Sequence, residues 1–235
     1  MRIDIWSDVV CPWCSVGRAR FARALEAFEH RDQVEVVWRS FELDPSAAPS
    51  TQASGGQVEL LAGKYGRSLA EAQQMLDQMT ATAAADGLTF RFDLMRGGNT
   101  FDAHRLLHLA LARGRQHELK QALDTGTFAE GLSVSDHDEL TRVAVAAGLD
   151  EDEVRRVLAS DEYADAVRAD VAQARAYGIT GVPFFVLDGR FGVSGAQPAE
   201  QVLAALEQAW GERSPVTVLA GGADAPTCDD DSCAV

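Results

Sequence analysis

Arg2-Ile-Asp-Ile-Trp-Ser-Asp-Val-Val-Cys11-Pro-Trp-Cys14 is the stretch that decides the fold. Ile3 and Ile5 alternate with polar neighbours and predict a strand over 2–7. Val16, Ala19, Phe21, Ala24, Leu25 and Phe28 recur at helical spacing and predict a helix over 12–30. Cys11 and Cys14 therefore stand at a strand-to-helix junction. Unpaired backbone N–H groups and the helix dipole stabilise a thiolate there. Three residues apart, the two sulfurs share a helix face and are close enough to bridge. Pro12, at the first helical position, gives up no hydrogen bond that the helix needs. The pattern predicts a dithiol–disulfide redox site. A zinc site needs a second ligand pair nearby, and Cys228 and Cys233 lie more than two hundred residues away. An inert structural disulfide is the remaining alternative, and it belongs to oxidising compartments.

Working outward, residues 33–42 are β-branched and aromatic and predict a second strand, parallel to the first across a βαβ unit. Residues 44–56 read as a loop. Helical patterns then run from 57 to 177. Ser68 and Glu71 form a capping box for a helix ending near Gly87, followed by a short extended piece over 88–92. Asn99 or Thr100 caps a helix with apolar Ala103, Leu106, Leu107, Ala110 and Leu111, closed by Gly114. A helix over 116–130 follows, then one from Ser135–Asp138 to Gly148, one capped by Asp150, and one ending at Tyr177-Gly178. Residues 184–188 predict a strand, Asp188-Gly189 a hairpin turn, and 190–194 the return strand. Pro198 opens a last helix reaching Trp210. The order is β-α-β, a helical block, then β-β-α. The expected fold class is α/β, with a discontinuous domain over 1–56 and 178–211 interrupted by a helical insertion over 57–177. Residues 212–235 read as a flexible tail carrying the second Cys pair.

The net charge of −15 speaks against nucleic acid and anionic membrane surfaces as partners, since both call for clustered Lys and Arg. No apolar run approaches the length of a membrane span, and no basic-then-apolar leader opens the chain. The expected location is the cytoplasm, where a disulfide is usually transient and catalytic.

A βαβ–ββα core with Cys-x-x-Cys opening its first helix resembles the thioredoxin fold. With its helical insertion it resembles the DsbA family of thiol–disulfide oxidoreductases. Lys64-Tyr65-Gly66, Gly98-Asn99-Thr100 with Ala103-His104-Arg105-Leu106, and Gly178-Ile179-Thr180-Gly181-Val182-Pro183-Phe184 are similar to the FrnE-like branch. The resemblance covers 1–211 and implies a cis Val182–Pro183 bond beside the sulfurs, with the Val182 backbone free to pair with an extended substrate. Glutathione-dependent chromene-carboxylate isomerases share the fold but carry serine where this chain has Cys11. Trp13 stands where periplasmic members carry His, so a strongly oxidising potential does not carry over.

Cys11 is the expected nucleophile, nearest the helix start and solvent, and Cys14 the buried resolving thiol. The substrate is a thiol or disulfide in a protein or small molecule, and disulfide isomerisation belongs to the same chemistry. No cofactor beyond the redox-active disulfide is expected, with glutathione a candidate co-substrate, and no metal. A peptide-binding chaperone and a glutathione-dependent enzyme acting on a small electrophile are the competing functions. Trp13, Thr180, Val182 and Pro183 are the candidate substrate contacts, with Trp13 either exposed between the thiols or buried under the insertion. Ser15 and Arg18 could add contacts. Asp8 reads as a solvated strand-end acid that would raise the thiol pKa if buried. Glu42 reads as a surface acid able to relay a proton to Cys14. His104 and His108 share a helix face at metal-like spacing, but Arg105 breaks the zinc-protease pattern; they read as ordinary helix histidines, with His104 within reach of the dithiol. Cys228 and Cys233 are open between a second disulfide able to exchange with Cys11, a metal clip with Asp229, Asp230 and Asp231, and an unstructured tail.

Overall fold

The computed structural model describes residues 1–48 and 56–213. Cys228, Cys233 and the rest of the tail call for no structural account, since they lie outside the described residues. Strands β1 (Arg2–Ser7), β2 (Glu35–Ser40), β3 (Phe184–Leu187) and β4 (Phe191–Ser194) form one sheet in the order β2-β1-β3-β4. β1 runs parallel to β2, with Ile3 opposite Val36 and Ser7 opposite Ser40. It runs antiparallel to β3, with Ile5 opposite Phe185. β3 and β4 form the expected hairpin, with Leu187 opposite Phe191; in the connection over 188–190, Asp188 and Gly189 both take positive φ (50° and 68°) and Arg190 N–H donates to the Leu187 carbonyl at 3.0 Å.

Helix α1 (Pro12–Ala27) fills the βα crossover, and α9 (Ala199–Gly211) packs beside it. Their apolar faces meet one side of the sheet through Phe21, Phe28, Val202 and Leu206 against Ile3, Ile5, Trp38 and Phe185. The sequence predicts α1 to residue 30, but it ends three residues earlier. Phe28 leaves the helix in an extended conformation and lays its ring edge-on against Trp210, with centroids 5.8 Å apart. A 3-10 turn at Arg31–Gln33 follows, so β2 starts later than predicted. It also ends earlier, at Ser40, because β1 offers no partner beyond Ser7.

Between β2 and β3 come α2 (Gln57–Tyr65), α3 (Leu69–Ala85), α4 (Phe101–Ala112), α5 (Gln116–Thr125), α6 (His137–Ala146), α7 (Glu151–Leu158) and α8 (Ala164–Ala176). Ser68 and Glu71 do form a reciprocal capping box on α3. Asn99, not Thr100, supplies the side-chain cap of α4, accepting from Phe101 N–H at 2.9 Å. Leu111, expected on the buried face of α4, is exposed. Residues 88–92 form no strand. Phe90 instead stacks on Phe128, in the π-helical turn Gly126–Glu130 that continues α5.

Helix α8 covers the second face of the sheet through Trp6, Ala174, Ile179 and Val186. Trp6 Nε1 donates to the Asp170 carbonyl at 2.9 Å. The Asp170 carboxylate accepts from Arg39 at 3.0 Å and from Ser40 N–H at 2.9 Å, and it lies 3.1 Å from His108 Nε2. Burial pushes this carboxyl up, but His108, Ser40 and Arg39 outweigh it and hold it below its ordinary value. A carboxylate so held stabilises the fold at neutral pH and loses that contribution as pH falls through its depressed value. Asp170→Ala leaves Arg39 and the Ser40 N–H without their buried partner and should cost about 3–5 kcal/mol, read by urea unfolding at pH 7. The difference from wild type should shrink as the pH is taken down.

Candidate active site

The site forms where β1 ends. The Asp8 carbonyl accepts from Cys11 N–H at 3.3 Å, and Cys11, in extended conformation, is the N-cap residue of α1. Its own carbonyl already accepts from Cys14 N–H at 3.0 Å, so both thiols lie on the first turn. Neither is bridged, and both are buried, Cys14 completely and Cys11 with 5% of its surface exposed. The expectation that Cys11 faces solvent holds only as a ranking. The cover over it includes the loop before β3: the Val182 carbonyl oxygen is 3.6 Å from Cys11 Sγ, and the Val182–Pro183 peptide is cis. Pro183 is buried, Val182 half-buried and Thr180 exposed. Gly17 leaves room for the proline ring, since a Cβ there would come within 2.7 Å of Pro183 Cγ.

The two thiols have opposite electrostatics. The hydrogen bond from Cys14, joined by the backbone N–H groups of Cys14 and Trp13, holds Cys11 below the ordinary thiol value, against burial and the Asp8 charge. Burial pushes Cys14 well above that value, reinforced by Cys11, while Lys120 and the Asp8 backbone oppose the rise. The thiolate is thus favoured on Cys11 and disfavoured on Cys14.

Several auxiliary residues sit differently from their sequence reading. Asp8 is no solvated acid. It is buried, with one oxygen accepting from Leu43 N–H at 2.8 Å and the other 3.3 Å from His104 Nε2. The chain turns back over it after β2, which puts the Leu43 amide where solvent would be. His104 is fully buried and reaches Asp8 rather than the sulfurs. Its Nε2 also lies 3.1 Å from the Phe41 carbonyl, and its Nδ1 has no partner among the described residues. Both neighbours of Nε2 are acceptors, so Nε2 carries the hydrogen. His108 is buried against Ser40 and Asp170, so the helical pair shares no ligand. Glu42 is half-buried and raised by desolvation, with Asp8 adding and His104 opposing; it sits with that pair, not with Cys14. Trp13 is 47% exposed, flanking the thiols. Ser15 and Arg18 are buried and unavailable to substrate. Arg18 is turned inward by Asp124 of α5, at 2.8 Å. Among the described residues, no group of three or more His, Cys, Asp or Glu side chains could hold a metal.

Lys120 and Asp124 were missed by sequence reasoning. The signal was present: a Lys–Asp pair at i, i+4 beside the apolar Leu119 and Leu123. Such pairs are ordinarily solvated, and this one is buried where α5 packs on β2 and meets Arg18 of α1. Gln116 pins that packing, its side chain donating to the Trp38 carbonyl and accepting from the Trp38 N–H, both at 2.9 Å.

Removing the Asp8 charge should ease ionisation of Cys11. In Asp8→Asn, the pH midpoint of Cys11 alkylation by iodoacetamide should move down relative to wild type; an unchanged midpoint would show that the carboxylate does not act on the thiol. Gly17→Ala should push the Pro183 ring off the dithiol helix. We expect the rate of Cys11 alkylation by iodoacetamide to change several-fold while the thermal midpoint drops by only a few degrees.

The sequence matches the family described as "DSBA-like thioredoxin domain" over residues 2–207. A crystal structure of a probable DsbA oxidoreductase from Streptomyces coelicolor, SCO1869, is 54% identical, with a TM-score of 0.91, over 100% of this chain and 99% of that one. The uncharacterized protein YwbO of Bacillus subtilis (strain 168) is 28% identical over 80% of this chain and 86% of its own. The cytosolic disulfide reductase DsbM of Pseudomonas aeruginosa, solved with GSH, shares the fold at 14% identity with a TM-score of 0.63, over 90% of this chain and 100% of that one.

Proposed function

Because the chain belongs to the family of DSBA-like thioredoxin domains, we propose that it is a thiol–disulfide oxidoreductase working through a mixed disulfide on Cys11. The observation that carries this reading is the asymmetry of the dithiol. The lowered thiol starts α1 beneath the Val182 carbonyl, and the raised one is fully enclosed.

In the reducing direction, the Cys11 thiolate attacks one sulfur of a substrate disulfide and expels the other as a thiolate. Cys14 then loses its proton and attacks Cys11, closing the disulfide and releasing the second substrate thiol. In the oxidising direction, the same steps run backwards. Isomerisation uses the first step alone, with the substrate's own thiol resolving the intermediate. The exposed Trp13 and Thr180 flank the entrance. An extended substrate segment beside Val182 would pair with backbone, which favours protein or peptide disulfides with little regard for side chains. Glutathione is the proposed small-thiol partner that reduces or oxidises the pair between turnovers. The glutathione bound to DsbM supports this at the level of the shared fold.

Titration of Cys11–Cys14 in glutathione buffers, read by mass spectrometry after thiol trapping, tests the reading. A cooperative two-electron transition is expected in wild type. Cys14→Ser should stop at a Cys11–glutathione adduct, and Cys11→Ser should form neither adduct nor disulfide-reductase product. A wild-type protein that halts at the adduct would favour the glutathione-dependent enzyme acting on a small electrophile.

A further inference from the structure

The ends of three strands frame the dithiol. At the end of β1, Ser7 lies opposite Ser40, the last residue of β2, and Trp6 lies opposite Phe184, the first residue of β3. The chain leaving β2 and the chain entering β3 therefore emerge at the same end of the sheet, one on each side of β1. Each strand is one spacing from β1, so about 10 Å separates the two. The dithiol turn rises between them. On the β3 side stands the Val182 carbonyl, 3.6 Å from Cys11 Sγ. On the β2 side stands the segment 41–45.

That segment is pinned along its length. Phe41 N–H donates to the Ser7 carbonyl at 3.2 Å, Leu43 N–H to the Asp8 carboxylate at 2.8 Å, and Asn99 Nδ2 to the Pro45 carbonyl at 3.2 Å. The Asp8 carbonyl in turn accepts from Cys11 N–H. Asp8 alone thus stands between the Leu43 backbone and the reactive cysteine. Phe41 turns inward and packs against the core around Trp6 and Ile179, as Val182 does. Leu43 does not, and is 46% exposed. A single exposed leucine is ordinary on a protein surface. This one stands on backbone fixed to a buried carboxylate, beside the thiol, and cannot withdraw without giving up that bond. Trp13, on the dithiol turn itself, is likewise exposed.

We infer that Leu43 is a specificity-determining residue, receiving an apolar side chain that flanks the reacting cysteine of an extended peptide disulfide. The inference rests on the oxidoreductase reading above, with the substrate paired beside Val182. Backbone pairing there reads no side chain; Leu43 adds that reading. Two residues of extended chain span about 7 Å. A side chain within two positions of the substrate cysteine therefore reaches across β1 to Leu43. An acid in that place would meet Glu42 and Asp44, the chain neighbours of Leu43, and like charges disfavour it. The step affected is the first. The Cys11 thiolate forms a bond to one peptide sulfur and the peptide disulfide breaks. The other peptide sulfur leaves with the bonding electron pair and takes a proton from solvent, matching the one Cys11 gave up on ionising. Leu43 touches no reacting atom.

The test is single-turnover reaction of the reduced full-length protein with symmetrical disulfides of serine-rich peptides, acid-quenched and read by mass spectrometry. Each peptide carries Leu, Ser, Glu or Lys at one position within two residues of its cysteine, on either side. Wild type should react with the best Leu peptide about tenfold faster than with its Ser counterpart, and slowest with Glu. Leu43→Ser should bring the Leu-to-Ser ratio to within about twofold, and Leu43→Met should keep it. The pH midpoint of Cys11 alkylation should stay at the wild-type value in both variants, since the Leu43 N–H to Asp8 is backbone. A ratio near one in wild type, a Lys peptide outpacing the Leu peptide, or a Leu preference that survives in Leu43→Ser would overturn the role of Leu43. So would a ratio lost together with a moved alkylation midpoint. A wild-type protein that forms no Cys11–Cys14 disulfide with any of these peptides or with glutathione disulfide would bring down the oxidoreductase reading itself.

Discussion

The run from Ile3 to Val9 is held by two hydrophobic cores at once, and the position of the dithiol follows from that double hold. Ile3 and Ile5 are sealed between the sheet and the α1–α9 layer, while Val9 is buried among the leucines of the inserted helices. β1 is also paired along both edges, to β2 and to β3. A strand fixed on both edges and at both ends has no freedom of register, because a slip of one residue would turn every side chain to the wrong face. Cys11 follows two residues after Val9. It is therefore fixed as firmly as the strand, although it belongs to a turn.

The insertion does more than shelter the core. Helix α4 sends His104 to Asp8, and α5 sends Lys120 and Asp124 under the dithiol helix. Each contact sets a polar side chain of the insertion against a charged one beside the dithiol. Asp8 disfavours a thiolate on Cys11, and the hydrogen bonds of the first turn overcome it. Lys120 favours a thiolate on Cys14, and burial overcomes it. The difference between the thiols is thus a balance of opposed effects spread over two layers of the molecule. That leaves room for tuning without touching either cysteine.

Much of this was legible in the sequence, for reasons local to it. Period-two apolar alternation marked β1, Asp188-Gly189 marked the hairpin, and Ser68 with Glu71 marked the start of α3, because each signal lies within a few residues. Boundaries set by distant partners were not legible. Phe28 leaves α1 for Trp210, about three quarters of the chain away, and β2 stops where its neighbour does. The same divide runs through the site. The Cys-x-x-Cys at a helix start is self-announcing. The burial of Asp8 depends on the amide of Leu43, and that of Lys120 on the packing of α5 against Trp38, and neither contact leaves a mark in the local pattern. Arg18 was misread for the same reason: its partner is on another helix.

The contact between Cys11 and Val182 spans 171 residues of chain. The dithiol is translated long before its cover. At roughly 5–20 residues per second, on the order of ten to thirty seconds separate the two at the ribosome. Throughout that interval neither β3 nor the Val182–Pro183 loop exists to close the site, and β1 lacks one of its two edges. The nascent chain therefore lacks the Val182 cover of Cys11 over that interval. Protection of Cys11 at that stage falls to the redox poise of the surroundings, not to the loop that later closes over it.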